Sequence, residues 1–267
     1  IRPIVAVRIG EVWLPTLARQ LATLDRILDG RLIVNIISSE MPGEALEAGP
    51  RYQRTLEHMS GLRRLLDGER VRLAVDPPRV TTVSGRCPPL YFGGLSEEAR
   101  EVAAREADVY LMWPDTIERV AELVADMRSR AAAHGRELRF GYRVHVVVRP
   151  TEGEARAAAD HLLAALDADT GERIRSRSLD STSVGVRAQA TLRDASDEDG
   201  YAEPNLWTGI GRARSGCGAA LVGSPQQVAA KFESYRDLGI DTFILSGYPH
   251  LDECRRFADL VLPRLGV

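Results

Sequence analysis

The chain has 267 residues, of which 44% are hydrophobic and 27% charged, and its net charge at pH 7 is −3. This composition predicts a globular protein that needs no disulfides, and the lack of a basic excess argues against a nucleic-acid partner. The three cysteines are scattered, so they predict neither a metal site nor disulfides. No apolar run approaches the roughly 18 residues that span a bilayer. We therefore expect a cytoplasmic protein without a membrane anchor.

Short apolar runs alternate with longer amphipathic segments along most of the chain. We predict strands at Ile4–Val7, Leu32–Ile37, Leu90–Gly93, Val109–Met112, Arg139–Val148 and Thr242–Leu245, with Ala220 near a further candidate. We predict helices at Leu14–Leu28, Tyr52–Leu66, Ser96–Ala107, Thr116–Ala133 and Leu251–Leu265, and after the capping boxes at Thr151 and Ser224. This alternation implies parallel strands with helical crossovers, as in a doubly wound sheet or a closed barrel.

One long segment breaks the alternation. Asp167–Gly200 is rich in Arg, Ser, Asp and Thr and has few large apolar residues. A stretch of this length without a clear pattern is either a mobile active-site loop or disordered, and we predict a mobile insertion around residues 167–200.

The strand Arg139–Val148 contains two residues that are unusual in a buried strand. Arg143 and His145 lie two positions apart and therefore on one face. A cation beside an imidazole is costly in a buried strand unless both meet an anion or a polar cavity. The pair is either an anion-binding and proton-handling site or the solvated end of a strand.

Two glycine-containing segments are candidates for binding anions. Gly93, Gly94 and Ser96 form a strand-to-helix turn that suits a phosphate at a helix start, although many ordinary turns look alike. Gly209–Gly218 carries two arginines, which suits either a lid over an anionic ligand or a solvated surface loop. Tyr248 and His250 follow the last strand, where active sites of parallel α/β folds gather.

Taken together, several segments resemble the alkanesulfonate monooxygenase branch of the luciferase-like flavin enzymes. The most specific is Gly239–Leu251, with the sequence GIDTFILSGYPHL. The other matching stretches, in chain order, are Leu17–Arg26, Gly30–Asn35, Pro88–Gly94, Asp108–Trp113, Leu138–His145, Pro204–Trp207 and Ala220–Pro225.

The resemblance implies a (β/α)8 TIM barrel that uses O2 and reduced FMN supplied by a separate flavin reductase, and a homo-oligomer (dimer or tetramer). In the sulfonate branch, oxygenation cleaves a carbon–sulfur bond and yields sulfite and an aldehyde. By the same resemblance, Arg143, His145, Arg214 and Tyr248 are the catalytic residues. The resemblance also places the flavin phosphate at the turn Gly93, Gly94 and Ser96, with Asn35 as a further flavin contact.

The sequence departs from the family pattern in three places. Leu95 replaces a serine of the phosphate turn, and Ile36–Glu40 replaces a glycine-containing turn. The first strand corresponds to the third strand of the family, so we expect one barrel domain over residues 1–267 that lacks the first two βα units, roughly 60 residues.

Three functions are compatible with these patterns. The leading hypothesis is a two-component flavin monooxygenase acting on a small anionic, organosulfur substrate, with Arg143 and Arg214 holding the anion and His145 or Tyr248 handling a proton. The alternatives are a deazaflavin (F420)-dependent oxidoreductase of the same superfamily and a catalytically silent flavin-binding protein.

Overall fold

The structure is a computed structural model that describes residues 2–38, 44, 46–71, 79–176, 183–214 and 216–266. Within it the chain divides into two compact units. The first consists of Ile1–Tyr110 and Met127–Leu138, and the second of Leu111–Asp126 and Arg139–Val267.

The first unit is built on parallel strands that alternate with helices. Its elements are β1 (Ile4–Arg8), α1 (Leu14–Ile27), β2 (Ile33–Ile37), α2 (Ala48–Leu66), β3 (Leu90–Phe92), α3 (Glu97–Glu106), the first half of β4 (Val109–Met112) and the end of α4 (Ile117–Ala133). β2 pairs in parallel with β1 and β3, and β3 pairs in parallel with β4. All four strands were predicted from the sequence.

Leucines at helical spacing hold the helices of the first unit in place. Leu17 and Leu21 of α1 are buried, and so are Leu62 and Leu66 of α2. Each such side chain contributes about 1.5–3 kcal/mol when it is fully removed from water. The helices therefore form because one face of each is apolar, which is the pattern that predicted them.

The second unit contains the strand that carries the predicted catalytic pair. Its elements after β4 and α4 are β5 (Arg139–Val148), α5 (Glu152–Leu163), α6 (Ala168–Ser176), α7 (Val184–Asp194), β6 (Tyr201–Glu203), β7 (Leu206–Trp207), β8 (Ala220–Gly223), α8 (Pro225–Asp237), β9 (Ile240–Ser246) and α9 (His250–Leu260). β5 pairs in parallel with both β8 and β9, whereas β7 pairs antiparallel with β6 and β8.

The predicted helix starts are present with their capping hydrogen bonds. Thr151 and Ser224 each begin a helix with a complete capping box, α5 and α8 respectively. Ser96 caps α3 by accepting a hydrogen bond from the backbone N–H of Ala99 at 3.2 Å. These caps satisfy N–H groups that have no partner inside their own helix.

Two predictions for the second unit need correction. The loop interpretation of Asp167–Gly200 is wrong for α6 and α7, which form although they bury few apolar side chains. The hairpin of β6 and β7 was missed because strands of three and two residues are too short to show alternation. The mobility of residues 167–200 stays a prediction. Part of this insertion, residues 177–182, and the predicted altered turn at Ser39 and Glu40 lie outside the described residues.

In the part of the chain that the structure describes, no helix has the length and apolar character needed to cross a membrane.

Candidate functional site

The two faces of β5 have different surroundings. On one face Tyr142 is buried against α8, where its hydroxyl donates to that of Tyr235 at 2.9 Å. Arg143 and His145 lie on the other face. His145 is only 1% exposed and Arg143 is half-buried, so the interpretation of this pair as a solvated strand end is wrong for His145.

Three of the predicted catalytic residues are in direct contact. Nη1 of Arg214 donates a hydrogen bond to Nε2 of His145 at 3.2 Å and to the hydroxyl of Tyr248 at 3.1 Å. The rings of His145 and Tyr248 stack with their centroids 5.6 Å apart. Because a guanidinium can only donate, Nε2 of His145 must be the acceptor, and the proton of the neutral ring is then on Nδ1.

His145 is held in its neutral form. Burial is the largest cause that lowers its pKa from 6.5 to about 4, and the positive charges of Arg214 and Arg143 contribute to this shift. His250 is another group that lowers the pKa of His145. A ring that is neutral at pH 7 and carries two cations beside it is a poor proton donor until an anion arrives.

Two buried nitrogen atoms of this site have no hydrogen-bond partner among the described residues. They are Nε of Arg143 and Nδ1 of His145. A backbone interaction with Cys217 favours the protonated form of His145, but it has no ordinary hydrogen-bond geometry. Buried donors without a partner are costly, and an anionic ligand offers acceptors for donors of this kind.

The glycine-containing segment Gly209–Gly218 is largely an inner loop. Gly209, Ile210 and Gly211 are buried, and so is Cys217, which is 0% exposed, so the surface-loop interpretation is wrong for these residues. Sγ of Cys217 donates to the backbone carbonyl of Arg143 at 3.4 Å, and burial raises the pKa of this thiol to about 11. Cys217 is therefore a structural anchor of the loop.

A cavity of about 300 Å³ lies beside Arg214. Arg193 and Gln189 of α7 and Glu172 and Ser176 of α6 line it together with Arg214. The predicted insertion thus supplies polar side chains to a cavity that Arg214 also lines.

Tyr248 lies just beyond the carboxyl end of β9, as the sequence predicts. It packs against the hydrophobic cluster that contains Val147 of β5 and Trp207 of β7. The rings of Tyr248 and His250 meet edge to face, with centroids 4.9 Å apart. Tyr248 follows its strand, whereas Arg214 precedes β8 and contacts His145 from the amino end of β8.

Two residues of this region were missed by sequence reasoning. Gln189 of α7 is buried, and both ends of its amide are bonded to backbone atoms. Glu253 of α9 is 1% exposed, and its carboxylate accepts from Arg149 and Arg256, in each case at 2.7 Å. Three of these four contacts join residues that are far apart in the sequence, and the fourth joins Glu253 to Arg256 on the same helix. No sequence motif therefore marks either residue.

The predicted flavin-contact residues lie in the first unit. Asn35 of β2 pairs with Tyr91 of β3, two residues before Gly93. A Cβ atom at Gly94 would come within 2.7 Å of Cβ of Ala99, so the turn requires glycine for its close approach to α3. The backbone carbonyl of Gly94 accepts a hydrogen bond from the Tyr110 hydroxyl at 2.6 Å, which fixes the turn.

The described residues contain no group of three or more His, Cys, Asp or Glu side chains that could hold a metal ion.

Comparison with known proteins identifies the family. Residues 1–242 match the model of the luciferase-like monooxygenase family. The chain belongs to this family, and the prediction of a luciferase-like α/β fold with a parallel sheet is confirmed. The narrower resemblance to alkanesulfonate enzymes stays a prediction.

Two curated relatives share a name. The chain is 59% identical to a sulfoquinovose monooxygenase of Novosphingobium aromaticivorans, over 97% of this chain and 76% of that protein. It is 50% identical to a sulfoquinovose monooxygenase of Agrobacterium fabrum, over 97% of this chain and 70% of that protein.

Solved structures with a similar fold have more distant sequences. An EDTA monooxygenase from Chelativorans has a TM-score of 0.75 at 20% identity, and the match covers 98% of this chain and 72% of that one. A coenzyme F420-dependent tetrahydromethanopterin reductase from Methanopyrus kandleri has a TM-score of 0.62 at 17% identity, over 97% of this chain and 82% of that one. Such similarity extends to the fold alone.

Proposed function

We propose that this protein is a two-component flavin-dependent monooxygenase that acts on a sulfonated sugar such as sulfoquinovose and releases its sulfur as sulfite. The names of the two relatives support this substrate class, because sulfoquinovose is a sugar that carries a sulfonate group. The predicted organosulfur substrate is thereby narrowed from an alkanesulfonate to a sulfosugar.

The observation that carries the proposal is the cationic cluster of Arg143, His145 and Arg214. Its unpartnered buried donors point to an anion, and none of the groups that shift the pKa of His145 is a carboxylate. A sulfonate has three acceptor oxygens, so one head group can accept from several of these donors.

The roles of the residues follow from their contacts. Arg214 binds one sulfonate oxygen and orients the Tyr248 hydroxyl, to which it donates. Arg143 supplies a second fixed charge. When the anion enters, its negative charge raises the pKa of His145, so that the ring can take a second proton at Nε2, in place of the hydrogen bond from Arg214, and deliver it to the substrate.

The turn after β3 fits the phosphate of FMN. The N-terminus of α3 offers backbone N–H groups and a favourable dipole, and Gly94 lets the turn approach that helix end closely. Glu97 in the first turn would repel a phosphate, but its carboxylate is paired with Arg130 at 3.0 Å. Gly93, Gly94 and Ser96 would therefore hold the phosphate and Asn35 the ring system. The reduced flavin supplies the electrons that activate O2.

The proposal includes partners that the sequence predicts. A separate flavin reductase supplies the reduced FMN, and the enzyme works as a cytoplasmic homo-oligomer. Reductase dependence is checked by omitting the reductase from the assay, and the oligomeric state by light scattering.

The direct test is turnover of sulfoquinovose with reduced FMN, a flavin reductase and O2. We expect sulfite release in proportion to O2 consumed, and none when reduced F420 replaces reduced FMN. Turnover with F420 alone would support the deazaflavin alternative. Flavin binding without turnover of any sulfonate would support the catalytically silent alternative.

A further inference from the structure

The segment between Gly211 and Gly218 carries Arg214, and three contacts hold its two ends. At one end, Nη1 of Arg193 donates to the carbonyl of Gly211 at 3.4 Å. At the other end, the N–H of Gly218 donates to Oε1 of Gln189 at 2.9 Å, and Sγ of Cys217 donates to the carbonyl of Arg143. Two of these three anchors come from α7.

Gln189 is the more restrictive of the two α7 anchors. Its Nε2 donates to the carbonyl of Pro114, just after β4, at 2.6 Å, while its Oε1 accepts from Gly218. The side chain is only 7% exposed, so neither bond is replaced easily by water. One amide thus connects α7 to the segment after β4 and to the segment before β8.

The two ends of the loop also lie against each other. A Cβ atom at Gly211 would come within 2.9 Å of the carbonyl oxygen of Gly218. The backbones of Gly211 and Gly218 are therefore in close contact, and Arg214 lies between them in the sequence. The contacts of Arg214 with His145 and Tyr248, at 3.2 and 3.1 Å, depend on this geometry.

We propose that Gln189 is a positioning residue that sets the place of Arg214 in the cationic cluster, so that the insertion bearing α7 controls how the site holds its anion. The catalytic consequence rests on the proposed function, whereas the position of Arg214 does not. In this proposal Gln189 acts through Gly218 and Arg214 and does not contact the substrate.

The charge of Arg214 at His145 provides a readout that needs neither cofactor nor substrate. Burial lowers the pKa of His145 most, and Arg214, Arg143 and His250 also contribute to the value of about 4. We would follow the His145 ring proton by NMR titration, assigned with His145→Gln. Arg214→Met should raise the pKa of His145 by about one unit. Gln189→Met, which has a similar volume but cannot form either hydrogen bond, should raise it in the same direction.

The double variant Gln189→Met/Arg214→Met distinguishes positioning from a general loss of structure. If Gln189 acts by placing Arg214, the double variant should have the same His145 pKa as Arg214→Met alone. Gln226→Met, an exposed glutamine on α8, is the matched control and should leave the pKa unchanged. Should Gln189→Met fold poorly, Gln189→Asn keeps a polar amide that is too short to bridge both partners and should give a smaller rise.

The proposal is overturned if Gln189→Met leaves the His145 pKa at the wild-type value while Arg214→Met raises it, or if neither variant raises it. In turnover, Gln189→Met should raise KM for sulfoquinovose about tenfold with a smaller change in kcat, as expected for weaker binding of the anion. If the wild-type protein oxidises no sulfonate but the titrations behave as expected, the proposed function fails and the positioning role stands.

Discussion

At the scale of single residues, the site is defined by the half-buried Arg143 and the buried His145, whose Nε and Nδ1 atoms have no hydrogen-bond partner among the described residues. Sequence predicted Arg143 and His145 because a cation and an imidazole on one face of a buried strand need an explanation, and it predicted Arg214 and Tyr248 by resemblance. The structure brings His145, Arg214 and Tyr248 into contact, and their catalytic roles stay predictions. It could not identify Gln189 or Glu253, because their roles depend on partners that only the folded chain brings close.

Arg143 tests whether the cluster holds an anion. Arg143→Met should leave the fold intact or stabilise it, because the variant removes a half-buried cation whose Nε has no hydrogen-bond partner among the described residues. It should raise the activation free energy derived from kcat/KM for a sulfonate by about 2–4 kcal/mol. Arg143→Lys should raise it by less, because lysine keeps the charge but loses the planar fork of hydrogen-bond donors. Steady-state kinetics with reduced FMN measures both. Wild-type rates in the two variants would make Arg143 a purely structural residue.

His145 predicts a specific dependence of stability on pH. Its pKa is lowered in the folded protein, to about 4 from 6.5, so its contribution is complete above pH 6.5 and is lost as the pH falls toward 4. Between pH 7.5 and 5 the free energy of unfolding should fall by about 2 kcal/mol more in the wild type than in His145→Gln. Urea unfolding at both values measures this. The control variant His134→Gln removes a partly exposed ring and should show the same pH dependence of stability as the wild type. If His145→Gln also showed the wild-type pH dependence, His145 would not be a buried neutral ring.

Glu253 predicts a large cost for breaking a buried ion pair. Glu253→Gln removes the charge that Arg149 and Arg256 share, each at 2.7 Å, and should lower the free energy of unfolding by about 3 kcal/mol. Glu233→Gln, which breaks an exposed pair with Arg236, should cost less than about 1 kcal/mol. Thermal or urea unfolding gives both values, and equal costs would show that Glu253 is not effectively buried.

At the scale of elements, the sequence predicted most of the fold where helices and strands are long and strongly patterned. β4 and β5 have the predicted bounds, and both capping boxes are present, because periodicity and caps are local signals. The hairpin of β6 and β7 and the helices α6 and α7 escaped prediction. Their residues are too few or too polar to show a period, and contacts from other parts of the second unit hold them.

The insertion that contains α6 and α7 should exchange its amide protons faster than β5 in the ligand-free protein. Buried residues of α7 are few, so little apolar surface offsets the conformational entropy of ordering it. A sulfonate ligand should slow exchange in residues 183–200, because Gln189 and Arg193 connect α7 to the loop of Arg214. Hydrogen exchange with mass spectrometry measures this. Protection equal to that of β5 without ligand would rule out a mobile insertion.

At the scale of the whole molecule, the family and the substrate class rest on different observations. The family follows from the match over residues 1–242, and the proposed sulfosugar substrate from relatives at 59% and 50% identity together with the cationic cluster. The fold alone does not choose between flavin and deazaflavin, since structures of similar fold include a coenzyme F420-dependent reductase. The choice between these cofactors therefore depends on the turnover assay with reduced FMN and with reduced F420.

The central claim is that the cluster of Arg143, His145 and Arg214 binds the sulfonate of a sugar. Isothermal titration calorimetry under anaerobic conditions, with reduced FMN present, tests it most directly by comparing sulfoquinovose with glucose. We predict that the wild-type protein binds sulfoquinovose and that Arg214→Met weakens binding by about 2 kcal/mol, the value of a hydrogen bond to a charged group. Glucose should bind neither protein measurably. Equal affinity of the wild type for the two sugars, or unchanged affinity in Arg214→Met, would contradict the account.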